Sequence, residues 1–474
     1  MLFPTLSFGL FFLVVYAVTW SVRGSNEWRK ILLLLASWFF YGAWDWRFVA
    51  LLIGSAFLNW GSARIIAALP GEEARGRRKA VMLAGIAGNL AILGFFKYYG
   101  FFLTQLGALL ATFGFARDLP LMQVVLPVGV SFFTFQGMSY LIDVYERRIQ
   151  AAALLDITLL MSFFPHLVAG PIVRGADLLP QFRSVPELTR DTASIGLVLI
   201  VWGLFKKAVV ASELSTGLVD PVFFDPGAHS RIDLIAAAYG YAVQIYCDFS
   251  AYSDMAIGIA ALLGYRFPLN FNQPYRAASL QDFWRRWHIS LSSWLRDYLY
   301  IDALGGNRKG FARQCVNLMV TMLLGGLWHG AKWTFVIWGG LHGGVLAIER
   351  LWDRVRPGAW PRLPRLIGIL LTFHIVVLGW IFFRSETFAG AINYLRGLGT
   401  PGPAGADLAV TPLAVALIVF GLAIHAAPPF WPQRLALRLR LLPAPALGII
   451  AGVTIMIIDA MRFEGVAPFI YYQF

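Results

Sequence analysis

Charged side chains are scarce in this sequence. Asp, Glu, Lys and Arg together make up 14% of its 474 residues, whereas hydrophobic residues make up 58%. A soluble domain carries about 25% charged residues, so the composition excludes an ordinary water-soluble protein. Because apolar runs recur along the whole chain with short gaps, we expect one integral-membrane domain over residues 1–474.

Cysteine is rare as well. Cys247 and Cys315 lie far apart in apolar surroundings, which excludes a disulfide framework and a cysteine-based metal site. No His-Glu-x-x-His stretch is present, so we predict no metal. A Gly-x-Ser-x-Gly nucleophile elbow is also missing, as is a long polar stretch that would form a soluble domain. If the chain is an enzyme, we expect it to form no covalent intermediate and to pass its product to another protein.

Acidic residues are fewer than basic ones. The sequence has 39 Lys and Arg but only 26 Asp and Glu, which gives a formal net charge of +13. In a soluble protein this excess would point to nucleic acid. In a membrane protein, basic residues collect in cytoplasmic loops, and the segment 71–79 has the composition of such a loop. We therefore predict the lipid bilayer, and no nucleic acid, as a partner. Basic loops could also hold the phosphates of an anionic cofactor.

What the sequence has in abundance is apolar runs of the length that crosses a bilayer, roughly 20 residues each. They predict an all-α polytopic protein with about 11–14 transmembrane or re-entrant helices. The N-terminal run lacks the features of a cleaved signal peptide, so we expect it to be retained. The candidate segments lie near residues 2–20, 30–45, 47–69, 80–96, 99–116, 121–142, 152–170, 192–210, 232–263, 314–330, 332–349, 364–383, 408–425 and 444–463.

Basic residues between these segments give a partial topology. Arg23, Arg29 and Lys30 mark the first loop as cytoplasmic, and the loop 71–79 marks the third. Simple alternation then places Arg147 and Arg148 outside, against the same rule. We therefore expect one element between residues 97 and 142 not to cross fully, which indicates a cavity beside it. The basic segment Arg434–Arg440 is predicted to be cytoplasmic or interfacial.

The segment Asp282–Tyr300 has a helical period with tryptophans on one face and arginines on the other. One interpretation is a helix lying flat at the membrane interface. The other is a helix that lines the mouth of a reaction funnel and turns Arg285 and Arg286 towards an anionic ligand. The next stretch, Leu304–Gly310, is a glycine-rich basic loop whose Arg308 and Lys309 could approach phosphates.

Two histidines, His329 and His342, lie in an apolar run where ionisable residues are functional candidates by default. They are 13 residues apart, so in one helix they would lie roughly 20 Å apart and point about 140° away from each other. They therefore cannot share a metal at adjacent turns, and Lys332 predicts a water-facing turn between two elements. His329 is flanked by glycines that let backbone or substrate come close, and a neutral imidazole is a suitable general base.

Two further histidines have other predicted places. His288 could meet lipid headgroups from the interfacial helix. His166 follows Pro165, and we interpret it as structural or as lining a tunnel.

Several stretches resemble the membrane-bound O-acyltransferase family, and within it the membrane subunits of alginate O-acetyltransferases. The resemblance runs over nearly the whole chain and is densest between residues 240 and 345. The matching stretches are Tyr246–Gly258, Phe267–Tyr275, Asp282–Tyr300, Leu304–Gly310, Met322–Ala331 and Phe469–Phe474.

The resemblance implies an O-acetyltransferase of the bacterial inner membrane, with helices around a central tunnel. It implies that His329 is the essential catalytic residue, with His342 also involved. The expected donor is acetyl-CoA, used as a substrate and not held as a permanent cofactor, with Arg285, Arg286, Arg308 and Lys309 as candidates for binding its phosphates. The expected partners are a periplasmic acetyltransferase with a Ser-His-Asp-type (SGNH-type) site and a polysaccharide synthesis or secretion complex.

Other functions remain open on sequence alone. The chain could transport acetyl groups or another small anion with a histidine proton relay, although no inverted repeat is visible. It could also be a scaffold for a polysaccharide synthase. Within the enzyme interpretation, alginate, cellulose and peptidoglycan are all candidate acceptors.

Overall fold

The computed structural model describes residues 3–22, 24–115, 122, 124–308, 310–355, 364–400, 402–403 and 408–461. Within these ranges the chain is built from helices, without a strand, which confirms the predicted all-α class. Two compact units divide it: Met1–Ala193 with Ile259–Pro268, and Ser194–Gly258 with Leu269–Phe474.

The first unit contains nine helices among the described residues. A π-helical segment, Gly94–Tyr98, joins the fourth to the fifth. The helices are α1 Leu6–Ser21, α2 Asn26–Asp45, α3 Arg47–Ala67, α4 Arg75–Leu93, α5 Tyr99–Thr112, α6 Val130–Tyr145, α7 Leu154–Ser162, α8 Phe164–Leu167 and α9 Gly175–Arg183.

Buried polar pairs hold the first unit together. Asn59 of α3 and Asn89 of α4 exchange side-chain hydrogen bonds of 3.1 and 3.0 Å, so each amide satisfies the other. Gly137 of α6 packs directly against Asn59. A Cβ at this position would lie only 2.5 Å from the amide nitrogen of Asn59. Lys30 pairs with Asp156 at 2.7 Å. Since a buried polar group without a partner is costly, these contacts fix how the helices meet.

The second unit holds most of the helices Arg190–Phe205 and Arg231–Leu262, the helices between them, and all helices after residue 268. Further π-helical segments cover Lys206–Ala211, Ser215–Val219 and Leu295–Ala303. The helices are α10 Arg190–Phe205, α11 Ser212–Leu214, α12 Asp220–Phe224, α13 Arg231–Leu262, α14 Leu280–Trp284, α15 Ile289–Trp294, α16 Phe311–His329, α17 Trp333–Val355, α18 Arg365–Arg384, α19 Phe388–Gly397, α20 Pro412–Ala423, α21 Trp431–Leu439 and α22 Ala444–Met461.

Fewer of the described helices are long and apolar enough to cross a membrane than the sequence predicts. Among the described residues, five are long and apolar enough by themselves, or six if the bent pair Pro412–Ala426 and Trp431–Leu439 counts as one span. The other predicted segments are present as helices but are shorter or more polar. α1 has 16 residues, and α2 carries Glu27, Arg29 and Lys30 in its first turns.

The predicted segments 80–96 and 99–116 form one helical run, Arg75–Thr112, of 38 residues. Counting this run as one crossing instead of two removes the topological conflict. Alternation then places Arg147 and Arg148 on the same side as Arg29 and Lys30, as the positive-inside rule requires. Which element does not cross fully stays a prediction, and α5, which continues α4, is the candidate.

Candidate active site

The run that contains both histidines folds as a helical hairpin. α16 ends at His329 and α17 begins at Trp333, so the predicted turn at Lys332 is confirmed. The glycines of this run allow the two helices to touch. A Cβ on Gly326 would overlap the carbonyl oxygen of Phe335, and a Cβ on Gly339 would overlap that of Met322. The space beside these glycines is thus filled by the neighbouring helix.

The hairpin brings the two histidines to the same aromatic ring. The His329 and Trp338 ring centroids are 5.2 Å apart, and those of His342 and Trp338 are 4.8 Å apart. Both imidazoles are buried, with His329 4% and His342 0% exposed. The separation expected for a single straight helix therefore does not apply, because the chain reverses between them. No group of three potential metal ligands occurs in the part of the chain that the structure describes.

His329 lies at the end of α16 in an aromatic enclosure. Its ring meets those of Trp328, Trp338 and Phe383 edge to face, at centroid distances of 5.0, 5.2 and 5.1 Å. Phe383 belongs to α18, so three helices surround the imidazole. The imidazole is thus enclosed by aromatic rings on several sides and is almost closed to solvent.

His342 has a defined hydrogen bond on one ring nitrogen. The indole Nε1 of Trp284 donates to its Nδ1 at 3.2 Å. Because an indole nitrogen only donates, Nδ1 must be the acceptor, and the neutral ring carries its proton on Nε2. Sequence reasoning missed Trp284 in this role, because the two residues lie 58 positions apart.

The position of Trp284 is fixed from α17 itself. Glu349, two turns beyond His342, accepts backbone hydrogen bonds from Leu280 and Gln281 at 2.6 and 3.1 Å. These are the first residues of α14, the five-residue helix that ends at Trp284. A carboxylate at a helix N-terminus is stabilising, so Glu349 holds α14 where its tryptophan reaches His342.

The predicted amphipathic helix over residues 282–300 is a broken one. α14 and α15 are separated by Arg285–His288, with His288 in the left-handed region at φ 43°. Its apolar face exists as predicted, but the tryptophans Trp284, Trp287 and Trp294 are buried within the protein. The interpretation as an anchor lying flat in the membrane is therefore wrong. A helical period does not distinguish a lipid-facing stripe from a protein-facing one.

His288 does not lie where headgroups could reach it. It is 0% exposed, and its ring lies 4.6 Å from that of Phe249. In the first unit, His166 is also buried, between Phe163 and Phe267 at 5.9 and 5.4 Å. Its burial fits the structural role predicted for it.

The candidate phosphate-binding residues have different surroundings. Arg285 and Arg308 are exposed, whereas Arg286 pairs with Asp282 at 2.8 Å and donates to the carbonyl oxygen of Asn272. Lys309 and the terminal stretch Phe469–Phe474 lie outside the described residues. The binding of a donor by these four cations stays a prediction.

Two lysines within α10's continuation were not singled out from the sequence. Lys206 contacts Asp254 at 2.8 Å and Ser250 at 2.6 Å, and Lys207 pairs with Asp248 at 2.8 Å. Lys206 lines a small cavity of about 60 Å³ with aromatic walls. The signal was available, because charged residues inside an apolar span are functional candidates.

A second cavity of about 720 Å³ lies at the far end of α18. Arg384 lines it and pairs with Asp220 at 2.6 Å. The residue before it, Phe383, contacts the His329 ring. Arg384 in the cavity wall therefore follows Phe383 of the aromatic enclosure directly along the chain.

Comparison with known proteins gives one family. Residues 133–387 match the membrane-bound O-acyltransferase family. The chain is 42% identical over 388 residues to a probable alginate O-acetylase of Pseudomonas aeruginosa, covering 81% of this chain and 72% of that protein. It is 45% identical over 305 residues to a probable alginate O-acetylase of Azotobacter vinelandii, covering 64% and 59%. It is 37% identical over 344 residues to a peptidoglycan O-acetyltransferase of Helicobacter pylori, covering 67% and 64%.

Proposed function

The chain belongs to the membrane-bound O-acyltransferase family, a multi-pass membrane family, and we propose that it transfers acetyl groups for the O-acetylation of an exopolysaccharide such as alginate. One observation carries the proposal: the hairpin α16–α17 holds His329 and His342 against a single buried indole, inside the region that matches the family. The names of the alginate relatives support the polymer.

We propose His329 as the general base. Its imidazole removes the proton from the acceptor hydroxyl while that oxygen attacks the carbonyl carbon of an acetyl thioester. The new C–O bond forms, the C–S bond breaks, and the thiolate leaves with the electron pair. His342 is less suited to this role, since its Nδ1 already accepts from Trp284 and its Nε2 carries the proton.

Two cavities near different parts of α13 support separate entry of the acyl donor and of the acceptor. His229, beside the start of α13, lines the larger cavity, and Ser250 and Asp254, near the end of that helix, line the smaller one. From Arg231 to Ser250 an α-helix rises roughly 30 Å, about the thickness of the hydrocarbon core. A path between these ends through His329 would be the central tunnel.

We propose that acetyl-CoA enters on the side of the smaller cavity. Trp431 and Gln433 of α21 line that cavity, and Arg434 and Arg438 of the same helix are exposed. Arg286 borders it through its hydrogen bond to Asn272. Basic residues mark the cytoplasmic side and attract phosphates. The side proposed for acetyl-CoA entry is therefore also the side that the charge pattern predicts to be cytoplasmic.

The acceptor is proposed to approach from the larger cavity. Its lining includes Asp220, Glu386, Arg384 and Arg396, a mixture of charges that suits a protein or a polar acceptor more than lipid. We propose that a periplasmic SGNH-type acetyltransferase receives the acetyl group and esterifies the polymer, within a synthesis or secretion complex at the bacterial inner membrane. The whole chain, 1–474, is proposed to act as one acyltransferase domain.

Peptidoglycan is the second acceptor to consider, because a relative at 37% identity is named as a peptidoglycan O-acetyltransferase. The chemistry at His329 would be the same. Only the partner that takes the acetyl group would differ.

The test is transfer from radiolabelled acetyl-CoA to the purified partner, with the full-length protein in detergent. We expect His329→Ala to lower the rate about 10²–10⁴-fold, the usual contribution of a general base. His374→Ala is the matched control, because His374 is an exposed histidine of α18, and it should transfer normally. Full transfer by His329→Ala would overturn the assigned base, and movement of free acetate without any acyl transfer would indicate a transporter.

A further inference from the structure

Two buried N–H groups beside the histidines have no hydrogen-bond partner among the described residues. They are Nε1 of Trp338 and Nε2 of His342. Trp338 is 1% and His342 0% exposed. Buried polar groups in native proteins usually have a hydrogen-bond partner, so two unpartnered donors side by side call for a physical reason.

Both nitrogens act as donors. The indole Nε1 always carries a hydrogen. The imidazole Nε2 carries one because Nδ1 accepts from Trp284 at 3.2 Å. The two groups belong to the same face of α17, four residues apart, and their ring centroids are 4.8 Å apart.

Both donors meet α18 at a glycine. A Cβ on Gly379 would lie 2.9 Å from Nε2 of His342 and 3.4 Å from Nε1 of Trp338. Any larger residue would place a methyl group over both N–H groups. Gly379 therefore lets the backbone of α18 pack directly beside the two donors.

We propose that these two N–H groups form the site for the acyl carbonyl oxygen. The inference rests on the proposed function and names the part of the donor that the site recognises. As the acceptor oxygen attacks, the C=O electron pair moves onto the carbonyl oxygen, and the two N–H groups donate to the resulting oxyanion. When the C–S bond breaks, the pair returns to re-form the C=O bond and the thiolate leaves.

The surroundings suit a carbonyl that gains charge only during the reaction. Aromatic rings surround the two donors: Trp284 and Phe283 lie 5.5 and 6.2 Å from His342, and Trp380 and Phe383 lie 5.9 and 5.3 Å from Trp338. A carboxylate or phosphate would bring a full charge into this apolar setting and lose its hydration. Neutral donors fixed in a dry site stabilise the transition state more than the ground state.

Trp338→Phe tests the site directly, because it keeps an aromatic ring and removes one N–H. We expect transfer from acetyl-CoA to fall about 10²–10³-fold, as for the loss of one oxyanion donor elsewhere. Gly379→Ala, which covers both donors, should be at least as damaging. Two controls match them: Trp38→Phe removes an indole N–H that is already bonded to Ser162, and Gly340→Ala meets only Leu323, at 3.6 Å. Both should retain most of the rate.

A spectroscopic measurement makes the test independent of turnover. Acetonyl-CoA, a ketone analogue labelled with ¹³C at the carbonyl, would be bound to the full-length protein and examined by infrared difference spectroscopy. We expect the C=O stretch to shift to lower frequency in the wild type and to return towards its free value in Trp338→Phe.

The outcomes separate the two proposals. If His329→Ala loses transfer while Trp338→Phe keeps it, the carbonyl site is overturned and the proposed function stands. Coincident carbonyl bands in wild type and Trp338→Phe, or no bound band in the wild type, would overturn the carbonyl site as well. If His329→Ala keeps transfer, the proposed base fails, and the infrared shift still decides the carbonyl site.

Discussion

Gly137 and Gly379 perform the same steric task in different regions of the molecule. Gly137 lets α6 pack against the side chain of Asn59, and Gly379 lets α18 pack against His342. Beside Gly137, the Asn59 and Asn89 amides satisfy each other. Beside Gly379, the Nε2 of His342 and the Nε1 of Trp338 have no partner among the described residues.

The difference separates a structural contact from a candidate site. Buried polar groups in native proteins are nearly always hydrogen-bonded, and the asparagine pair follows that rule. Other buried polar atoms, such as Ser55 Oγ, also lack a partner among the described residues, and what distinguishes the pair at His342 is that two donors face the same glycine. Polar groups of the asparagine region should therefore matter for stability, and those around His342 for the reaction.

Among the variants that test this comparison, Asn59→Leu should have the largest effect, and it should be on stability. The change leaves the Asn89 amide buried without its partner, which should cost about 2–3 kcal/mol and lower the melting temperature of the detergent-solubilised protein. Transfer per folded molecule should be unchanged. The double variant Asn59→Leu/Asn89→Leu should recover part of the loss, because no orphaned amide remains. A specific loss of transfer at an unchanged melting temperature would break the comparison.

Trp284→Phe should produce the next largest effect, and it should be on the reaction. It keeps the ring but removes the hydrogen bond that places the proton of His342 on Nε2. We expect the rate to fall roughly 10- to 50-fold, equivalent to about 1.4–2.3 kcal/mol, with a small change in melting temperature. Steady-state transfer and a thermal melt on the same preparation measure both. In the Trp284→Phe background, Trp338→Phe should cost less than it does alone, and simple additivity would contradict the shared site.

Glu349→Gln should have a smaller effect of the same kind. The neutral amide offers one oxygen in place of the two that accept from Leu280 and Gln281. Because α14 would be held less firmly, we expect a severalfold lower rate, about 1 kcal/mol, with no change in the KM for acetyl-CoA. Glu349→Ala should be worse than Glu349→Gln. Equal effects of both variants would show that the cap does not act through its acceptor atoms.

Arg285→Ala should have the smallest effect. An exposed cation contributes weakly to binding and is screened by salt. If it attracts the donor phosphates, the KM for acetyl-CoA should rise about twofold to threefold at low salt, and the difference should disappear at high salt while kcat stays constant. A changed kcat at Arg285 would place the residue in the chemical site instead.

The helices and both histidines could be predicted from the sequence, because apolar length and rare imidazoles are local signals. The hairpin turn at Lys332 was predictable for the same reason. The neighbours of His342 could not be predicted, because Trp284 and Gly379 reach it only when α14 and α18 pack against α17. Periodicity also misled at Asp282–Tyr300, where the apolar face packs inside the protein. Lys206 and Lys207 carried a usable signal, since both lie in a predicted span.

The shortness of the turn between α16 and α17 has a consequence for biosynthesis. Only Gly330, Ala331 and Lys332 separate the two helices, and the glycines on either side bring their backbones into contact. Neither helix can enter the bilayer far ahead of the other without stretching this turn, so we expect the pair to leave the translocon together as a preformed hairpin. Because His329, Trp338 and His342 all belong to this hairpin, the two histidines would then meet Trp338 as the hairpin closes, without help from α18.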